Sequence, residues 1–256
     1  MGLLVAFVLV VLVMSGLWFW QRRSGRADWV DAFWAGSIGG LAIFFAVFAD
    51  GAVEKRVLVA LVAGTWSFRL THHLAVRLAS HSGEDGRYQA MREYWGERAN
   101  FWMFFFFMGQ ALIAWLFALP AWVVANDPGS AISFWVIVGV AVWFVSLAGE
   151  SLADRQLSAF RQDPENKGKV CQVGLWRYSR HPNYFFEWLH WFSYPLIAMG
   201  APHQWVAWLG PALMLLFLYR VTGIPYTEKQ SLKSRGEAYR EYQRTTSPFI
   251  PWPPKS

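Results

Sequence analysis

The sequence predicts an all-α, polytopic membrane protein, and three features of its composition lead to this fold class. Of its 256 residues, 55% are hydrophobic and 18% are aromatic. Only 16% are charged, whereas charged residues make up about 25% of an average soluble domain. Long apolar runs recur along the whole chain, and several have the length of about 20 residues that a helix needs to cross a bilayer. We therefore expect a bundle of seven transmembrane helices, with residues 1–256 forming a single domain.

The expected transmembrane helices follow the apolar runs in chain order. They are Leu3–Trp20, Trp29–Ala49, Val57–Ala79, Phe101–Ala125, Ala131–Glu150, Tyr184–Gly200 and Trp205–Val221. The first run differs from a signal peptide because its basic residues follow it and no small-residue cleavage site comes after it, so we expect a retained helix. The sixth run is short and contains Pro195. A polar tail, residues 223–256, follows the last run.

The basic residues alternate between the connections, and this alternation predicts the orientation of the chain. They concentrate in the first, third and fifth connections and in the tail, while the fourth and sixth connections contain no Lys or Arg. In the second connection, Lys55 and Arg56 are offset by Asp50 and Glu54. Because cytoplasmic loops carry the excess of Lys and Arg, we expect the amino terminus outside and the carboxyl terminus in the cytoplasm.

Several classes of function and site are excluded by the sequence. The net charge of +6 comes from arginines beside apolar segments, where topology and anionic headgroups explain it better than a nucleic-acid partner does. Cys171 is the single cysteine, which excludes an internal disulfide and a cysteine-based metal site. Glu187 and His190 have the spacing of one half of a di-iron site, but no second copy exists. Dinucleotide-binding, phosphate-loop and α/β-hydrolase motifs are also missing from the sequence, and we expect no metal.

A dense polar segment, Gly174–Glu187, runs directly into the sixth apolar run. Its polar side chains are Arg177, Tyr178, Arg180, His181, Asn183, Tyr184 and Glu187. A charged anchor at the membrane edge would account for the arginines alone. The added imidazole, carboxamide, phenol and carboxylate favour a ligand-binding site, because polar groups at a membrane are costly unless they are paired or used.

Further polar residues lie within or beside the other apolar runs. Asp154 and Arg161 follow the fifth run on roughly one side of a helix, and we expect them to converge with Asn183 and Glu187 at one cytoplasmic mouth. Arg69 in the third run is explained equally well by an ion pair between helices. The tail from Thr227 has mixed charges at helical spacing. It forms either a helix on the membrane surface or a cover over the mouth that offers polar side chains to a cofactor. Those side chains are Glu228, Tyr239 and Tyr242.

The segment Gly174–Glu187, together with Glu237–Tyr242 and Pro248–Pro251, resembles the DUF1295 branch of the steroid 5α-reductase superfamily. The resemblance is specific in the carboxyl-terminal part of the chain and only topological before it. It implies a seven-helix membrane reductase that takes hydride from NADPH. Its substrate would be lipid-soluble, with a carbon–carbon double bond conjugated to a ketone, or an isolated ring double bond as in the sterol-reductase relatives.

The resemblance also implies roles for individual residues. Asp154 and Arg161 match an Asp-x6-Arg pattern that contacts the cofactor, and Asn183 and Glu187 match the Asn and Glu of an Asn-Phe-x-Gly-Glu motif. Trp66 stands where the superfamily has a catalytic tyrosine. The proton donor is therefore open among Tyr184, His73 and Glu187. The expected cofactor contacts are Asp154, Arg161, Lys169, Arg177, Tyr178, Arg180, His181, Asn183, Glu228, Tyr239 and Tyr242.

A second resemblance leaves the cofactor open. Arg180-His-Pro-x-Tyr184 and the later Glu-x-Tyr-x-x-Tyr are also similar to isoprenylcysteine carboxyl methyltransferases, which use S-adenosylmethionine to methylate a lipid-soluble acceptor. A lipid-binding or scaffold protein without enzymatic activity is the third possibility. In each case we expect a multi-pass protein of a bacterial inner membrane or the endoplasmic reticulum. Its partners would be the bilayer and a lipid-soluble small molecule, and no obligate protein partner is evident.

Overall fold

A computed structural model describes residues 2–80, 83–129, 133–221 and 223–255, and within these ranges the chain is helical and contains no strand. The chain divides into two compact units. Unit 1 consists of Met1–Ser133 and Gly200–Leu209, and unit 2 consists of Phe134–Met199 and Gly210–Ser256. The expectation of a single domain stays a prediction.

Unit 1 is a helical bundle held together by small residues. Its helices are α1 (Gly2–Ser24), α2 (Val30–Phe48), α3 (Val53–Ala79), α4 (Gly86–Trp95) and α5 (Ala99–Ala125). A Cβ added to Gly39 of α2 would overlap Ser67 of α3, and the Ser67 hydroxyl donates to the Ala35 carbonyl at 2.7 Å. Such residues let two helix backbones approach closely, as in other membrane bundles.

Ion pairs stabilise the loops at the ends of unit 1. Lys55 Nζ lies 2.8 Å from Asp127 Oδ2, and both side chains are buried. At the start of α2, Asp31 accepts from Arg87 at 2.8 Å and from the Tyr88 hydroxyl at 2.7 Å, both in the first turn of α4. The carboxylate that the sequence places early in the second apolar run is therefore paired, as the cost of burying an isolated charge requires.

Unit 2 consists of one long helix and a series of shorter ones. These are α6 (Phe134–Gln162), α7 (Pro182–Trp191), α8 (Ser193–Ile197), α9 (Leu209–Leu216), α10 (Ile224–Arg235) and α11 (Glu237–Thr245). Helix α6 packs on α7 and α8. A Cβ at Gly149 would overlap the Phe186 ring, so this glycine permits the close approach of α6 and α7. Their contact brings residues near the end of α6 beside the start of α7.

Five helices among the described residues are long and apolar enough to cross a membrane, which supports the prediction of a polytopic membrane protein. They are the stretches Gly2–Ser24, Ala27–Phe48, Gly86–Ala125, Phe134–Gln162 and Gln204–Arg235, where the third includes both α4 and α5 and the last includes both α9 and α10. The third predicted span forms α3, whose charged residues lower its hydropathy. The sixth is divided between α7 and α8, close to Pro195, which has no N–H to donate within a helix. Ala131, the predicted start of the fifth span, lies outside the described residues.

The polar tail forms two helices, whereas the charge pattern predicts one. The break falls at Gly236, whose φ of +55° lies in the left-handed region. This conformation suits glycine because it has no Cβ. The Gly236 N–H still bonds to the Leu232 carbonyl at 2.9 Å, so α10 ends there and α11 starts in a new direction.

Candidate functional site

Arg180 is a buried cation in unit 2 that connects the start of α7 to the tail. Its side chain is 9% exposed. Its Nε donates to Glu228 Oε1 at 2.7 Å. Its Nη1 donates to the carbonyls of Gln243 at 3.0 Å and Thr246 at 2.6 Å. Charge-assisted bonds of this kind are short and strong, so Arg180 fixes α10 and α11 relative to the segment before α7.

Glu228 receives several donors in addition to Arg180. Gln243 Nε2 donates to Glu228 Oε2 at 2.8 Å, and His181 Nε2 lies 3.4 Å from Glu228 Oε1. Burial lowers the pKa of His181 below its usual value, and Glu228 opposes this shift without cancelling it. The His181 ring also stacks on the Tyr184 ring at 5.3 Å between centroids, with 7° between the planes.

Hydrogen bonds of two neighbouring side chains connect the start of α7 to α6 and to α10. Asn183 Nδ2 donates to Asp154 Oδ1 at 3.2 Å, and Asn183 Oδ1 accepts from the Tyr184 backbone N–H at 3.0 Å. The Tyr184 hydroxyl lies 3.2 Å from Thr227 Oγ1. Since Thr227 Oγ1 donates to the Gly223 carbonyl at 3.0 Å, the Tyr184 hydroxyl is the donor to Thr227. The three predicted residues, Asp154, Asn183 and Tyr184, are partly exposed, which leaves them accessible to a ligand.

Residues beyond α11 fold back onto the segment that precedes α7. The buried Ser179 hydroxyl donates to the Phe249 carbonyl at 2.7 Å, and the Arg180 N–H donates to the Ser247 carbonyl at 2.9 Å. The Phe249 ring packs against aromatic residues of unit 2. These are Phe185, Trp188 and Tyr219. The backbone that carries Arg180 and His181 is thus positioned by this returning segment.

The two tail tyrosines predicted as cofactor contacts are buried within unit 2. The Tyr242 hydroxyl donates to the Trp176 carbonyl and, at 3.1 Å, to the Ser179 carbonyl. Burial raises its pKa well above the usual value. Burial also raises the pKa of Tyr239 to about 12. Both side chains therefore remain protonated at neutral pH, and the Tyr242 hydroxyl is used for bonds inside the protein.

The remaining predicted cofactor contacts form an exposed, basic surface. Arg161, Lys169, Arg177 and Tyr178 all have exposed side chains. Arg235 Nε donates to the Lys169 carbonyl at 2.9 Å, which brings another cation to this surface. In the part of the chain that the structure describes, no carboxylate pairs with Arg161. These residues have the charge that a phosphate-bearing ligand needs.

A known protein family matches most of this chain. A family model described as "Protein of unknown function (DUF1295)" matches residues 17–246. The chain belongs to the DUF1295 family. This DUF1295 protein is also 27% identical to the uncharacterized protein C594.04c of Schizosaccharomyces pombe (strain 972 / ATCC 24843), over 98% of the chain and 78% of that protein. No solved structure gives a significant match.

Glu187 of this DUF1295 protein lies deeper than the other predicted residues of α7. Its Oε1 accepts from Trp191 Nε1 at 3.1 Å, and His190 Nε2 lies 3.3 Å from the Tyr194 hydroxyl. All four side chains are buried. No role for Trp191 or Tyr194 was expected from the sequence. Trp191 lies four residues after Glu187, and Tyr194 lies four residues after His190, a spacing that places two side chains on one side of a helix. This spacing is the signal that could have identified both partners.

The third proposed proton donor, His73, lies in α3 of unit 1 and has an exposed side chain. Trp66, which the resemblance to the reductases places at the position of a tyrosine, is fully buried. No group of three or more His, Cys, Asp or Glu side chains within the described ranges has the arrangement of a metal site.

Proposed function

We propose that this DUF1295 protein is a membrane-embedded, NADPH-dependent reductase of a carbon–carbon double bond in a lipid-soluble substrate. The observation that carries the proposal is the 3.2 Å bond between Asn183 and Asp154, which are 29 residues apart. These are two of the residues that the reductase resemblance assigns to the cofactor. Their contact at the start of α7 favours a shared site over unrelated structural roles.

The residues of unit 2 divide into a frame and a ligand-contacting set under this proposal. The frame consists of Arg180, Glu228 and Tyr242. Their side chains connect the segment before α7 with α10 and α11. Arg161 and Lys169 are exposed and would hold the phosphates of NADPH, because fixed cations bind multiply charged anions strongly. The other exposed cation of the ligand-contacting set is Arg177. NADPH would supply the hydride.

The protein must then provide a proton or a hydrogen bond where charge develops. Hydride addition to an alkene conjugated to a ketone leaves negative charge on the carbonyl oxygen. Tyr184 is our proposed donor, because the residue is partly exposed and directly follows Asn183, which donates to Asp154. In the structure the Tyr184 hydroxyl donates to Thr227, so under this proposal it would turn from Thr227 to the substrate oxygen when the substrate binds. The buried Glu187, which accepts from Trp191, would position α7.

The topology that we propose adds two crossings to the five apolar helices. Helix α3 has 27 residues, which at 1.5 Å per residue is long enough to cross a bilayer. The α7–α8 pair would form the other crossing as a broken helix, which is tolerated where its polar groups are buried in protein. With seven crossings, the alternating basic connections place the amino terminus outside and the carboxyl terminus in the cytoplasm. The membrane would be a bacterial inner membrane or the endoplasmic reticulum.

A methyltransferase that uses S-adenosylmethionine is the second candidate. It is favoured by the contact between the two segments that resemble isoprenylcysteine carboxyl methyltransferases. Arg180, in the first of them, donates to the Gln243 carbonyl directly after the second. The same contact serves a reductase equally well, and Asp154 with Asn183 favours the reductase.

Titration of the purified protein in nanodiscs with NADPH, and separately with S-adenosylmethionine, tests the proposed function. We expect saturable binding of NADPH, measured by its fluorescence, and weaker or no binding of S-adenosylmethionine. Asp154→Ala should weaken NADPH binding, whereas Asp163→Ala, which removes an exposed carboxylate from the loop after α6, should not. Binding of S-adenosylmethionine alone would favour the methyltransferase.

A further inference from the structure

Unit 2 contains two arginines, Arg161 and Arg235, that lie close enough for their charges to repel each other. Arg161 is in the last turn of α6, and Arg235 is the last residue of α10. The fold therefore brings together two cations from distant parts of the sequence. Repulsion between like charges costs free energy, so this arrangement is unfavourable unless an anion binds to it. We call these two residues the arginine pair.

The backbone of a neighbouring loop holds Arg235 in the pair. Its Nε donates to the Lys169 carbonyl at 2.9 Å, and its Nη1 donates to the Ser234 hydroxyl at 3.3 Å. Helix α10 ends directly after it, at Gly236. A guanidinium has five N–H donors in a fixed fork. Because these bonds to described residues use only two of the five, Arg235 retains donors for a ligand.

No anionic side chain neutralises the pair in the part of unit 2 that the structure describes. The buried Cys171 thiol lies near both arginines, but burial raises its pKa, so the thiol is uncharged at neutral pH. Asp163, in the loop directly after α6, accepts hydrogen bonds from its own loop at 3.0 and 3.2 Å. Neither arginine forms an ion pair with a described carboxylate. The site is therefore left with a net positive charge.

The position of the pair at two helix carboxyl termini indicates which phosphate it fits. Pyrophosphate is commonly bound by the free backbone N–H groups of a helix amino terminus, and a carboxyl terminus has none of these. The pair instead offers guanidinium forks, which match phosphate oxygens in geometry. A phosphate monoester carries a charge of about −1.5 to −2 at pH 7, so two arginines compensate it. In dinucleotide-binding proteins an arginine likewise accommodates the 2′-phosphate of NADP.

We propose that the arginine pair binds a phosphate monoester, which in NADPH is the 2′-phosphate of the adenosine ribose, and thereby selects NADPH over NADH. This inference rests on the proposed reductase function and deepens it, because it adds Arg235 to the site and names the group that Arg235 recognises. NADH lacks this phosphate and gains nothing from the pair. Phosphatidic acid carries the same chemical group on a lipid, and the experiment must therefore distinguish the two sources.

Titration of the full-length protein with NADPH and with NADH, in phosphatidylcholine nanodiscs, tests the selection. We expect the wild type to prefer NADPH. Arg161→Gln and Arg235→Gln should each reduce that preference about ten- to a hundredfold, as loss of a hydrogen bond between charged groups does, with the affinity for NADH unchanged. Lys233→Gln is the control, because it removes an exposed cation two residues before Arg235, on another side of α10. A preference for NADPH that persists in both arginine variants would overturn the inference and leave the reductase proposal intact.

A measurement without nucleotide separates this inference from the reductase proposal. Inorganic phosphate, compared with chloride at equal ionic strength and pH 7.5, should raise the melting temperature of the wild type and of Lys233→Gln, because a ligand of the folded state stabilises it. Neither arginine variant should respond. If neither nucleotide binds, NADPH falls as the cofactor, and this response alone decides whether the phosphate site stands. Stabilisation of the wild type by phosphatidic acid in the nanodisc, but not by inorganic phosphate, would assign the pair to a lipid headgroup and overturn the inference.

Discussion

Arg180 and Glu228, which are 48 residues apart in sequence, form a largely buried ion pair with 2.7 Å between Nε and Oε1. The pair joins the segment before α7 to α10. Its burial explains why neither residue is free to act as a simple surface charge. Arg180 also bonds to two backbone carbonyls, so its removal or that of its partner should affect the whole of unit 2.

Glu228→Gln should lower stability more than a similar change at an exposed ion pair. The substitution leaves Arg180 with no opposite charge in a buried position, which should cost about 3 kcal/mol. The matched control is Glu241→Gln, because Glu241 pairs with Arg244 where both are exposed, and such pairs contribute at most about 1 kcal/mol. Thermal unfolding of both variants in detergent measures the difference. Equal melting temperatures would show that Arg180 is held by its carbonyl contacts alone.

His181 should make unit 2 less stable as the pH falls. Burial lowers its folded-state pKa below the usual value of about 6.5, so the unfolded chain binds more protons in the window between the two values. Stability is therefore full above about pH 6.5 and decreases as the pH falls through that window. His181→Gln should flatten this part of the profile. Melting temperatures measured from pH 7.5 to pH 5 test this, and an unchanged slope in the variant would refute it.

Arg161→Ala should weaken NADPH binding, because Arg161 is exposed beside other cations and a lost bond to a phosphate costs about tenfold or more. Lys255→Ala removes an exposed cation of the tail that we do not assign to the site, and should leave the affinity unchanged. Fluorescence titration compares the two. A similar loss in both variants would indicate general charge attraction rather than a phosphate site.

Tyr184→Phe should reduce turnover by about 100- to 10,000-fold on a lipid-soluble enone, as expected for loss of a general acid. NADPH affinity should change little, because the phenyl ring can still stack on His181. Tyr94→Phe removes the hydroxyl of a highly exposed tyrosine of unit 1 and is the control. Reduction is followed by the loss of NADPH absorbance. Full turnover by Tyr184→Phe, or by Asn183→Ala and Glu187→Gln, would show that the site is assigned wrongly.

Cysteine accessibility should place Ser24 and Ser234 on the same, cytoplasmic side of the membrane. Each is changed to Cys in a Cys171→Ser background and treated with a membrane-impermeant maleimide on intact cells or sealed vesicles. Asn126→Cys, at the end of α5, should react from the opposite side. Labelling of Ser24→Cys and Ser234→Cys from opposite sides would rule out the seven-crossing topology.

The apolar runs were sufficient to predict the membrane-protein class and the all-helical fold, since a bilayer permits few other structures. Pro195 marked the sixth run as interrupted, and that run is divided between α7 and α8, but hydropathy did not predict where the break lies or the turn at Gly236. The turn depends on a single backbone conformation. Hydropathy averages over a window and detects neither.

The polar residues of unit 2 could be found from the sequence, but their partners could not. Residue type and position singled out Asp154, Asn183 and Tyr184, and the structure shows that Asn183 donates to Asp154 and that its amide oxygen accepts from the Tyr184 backbone N–H. The same reasoning grouped Arg180 and Tyr242 with the exposed cofactor contacts, although both bond chiefly to backbone carbonyls within the protein. A sequence shows which side chains can donate, while the acceptor depends on how distant segments fold together.

The returning segment after α11 also determines when this part of the protein can form during synthesis. The hydroxyl of Ser179 donates to the carbonyl of Phe249, which is 70 residues later in the sequence. Arg180 donates to the carbonyls of Thr246 and Ser247, which also follow α11. A nascent chain that has been made only as far as α10 already contains Asp154, Asn183 and Tyr184 but lacks these bonds. Unit 2 therefore acquires its final arrangement only after translation has passed Phe249, and until then its buried arginine has yet to receive all of its partners.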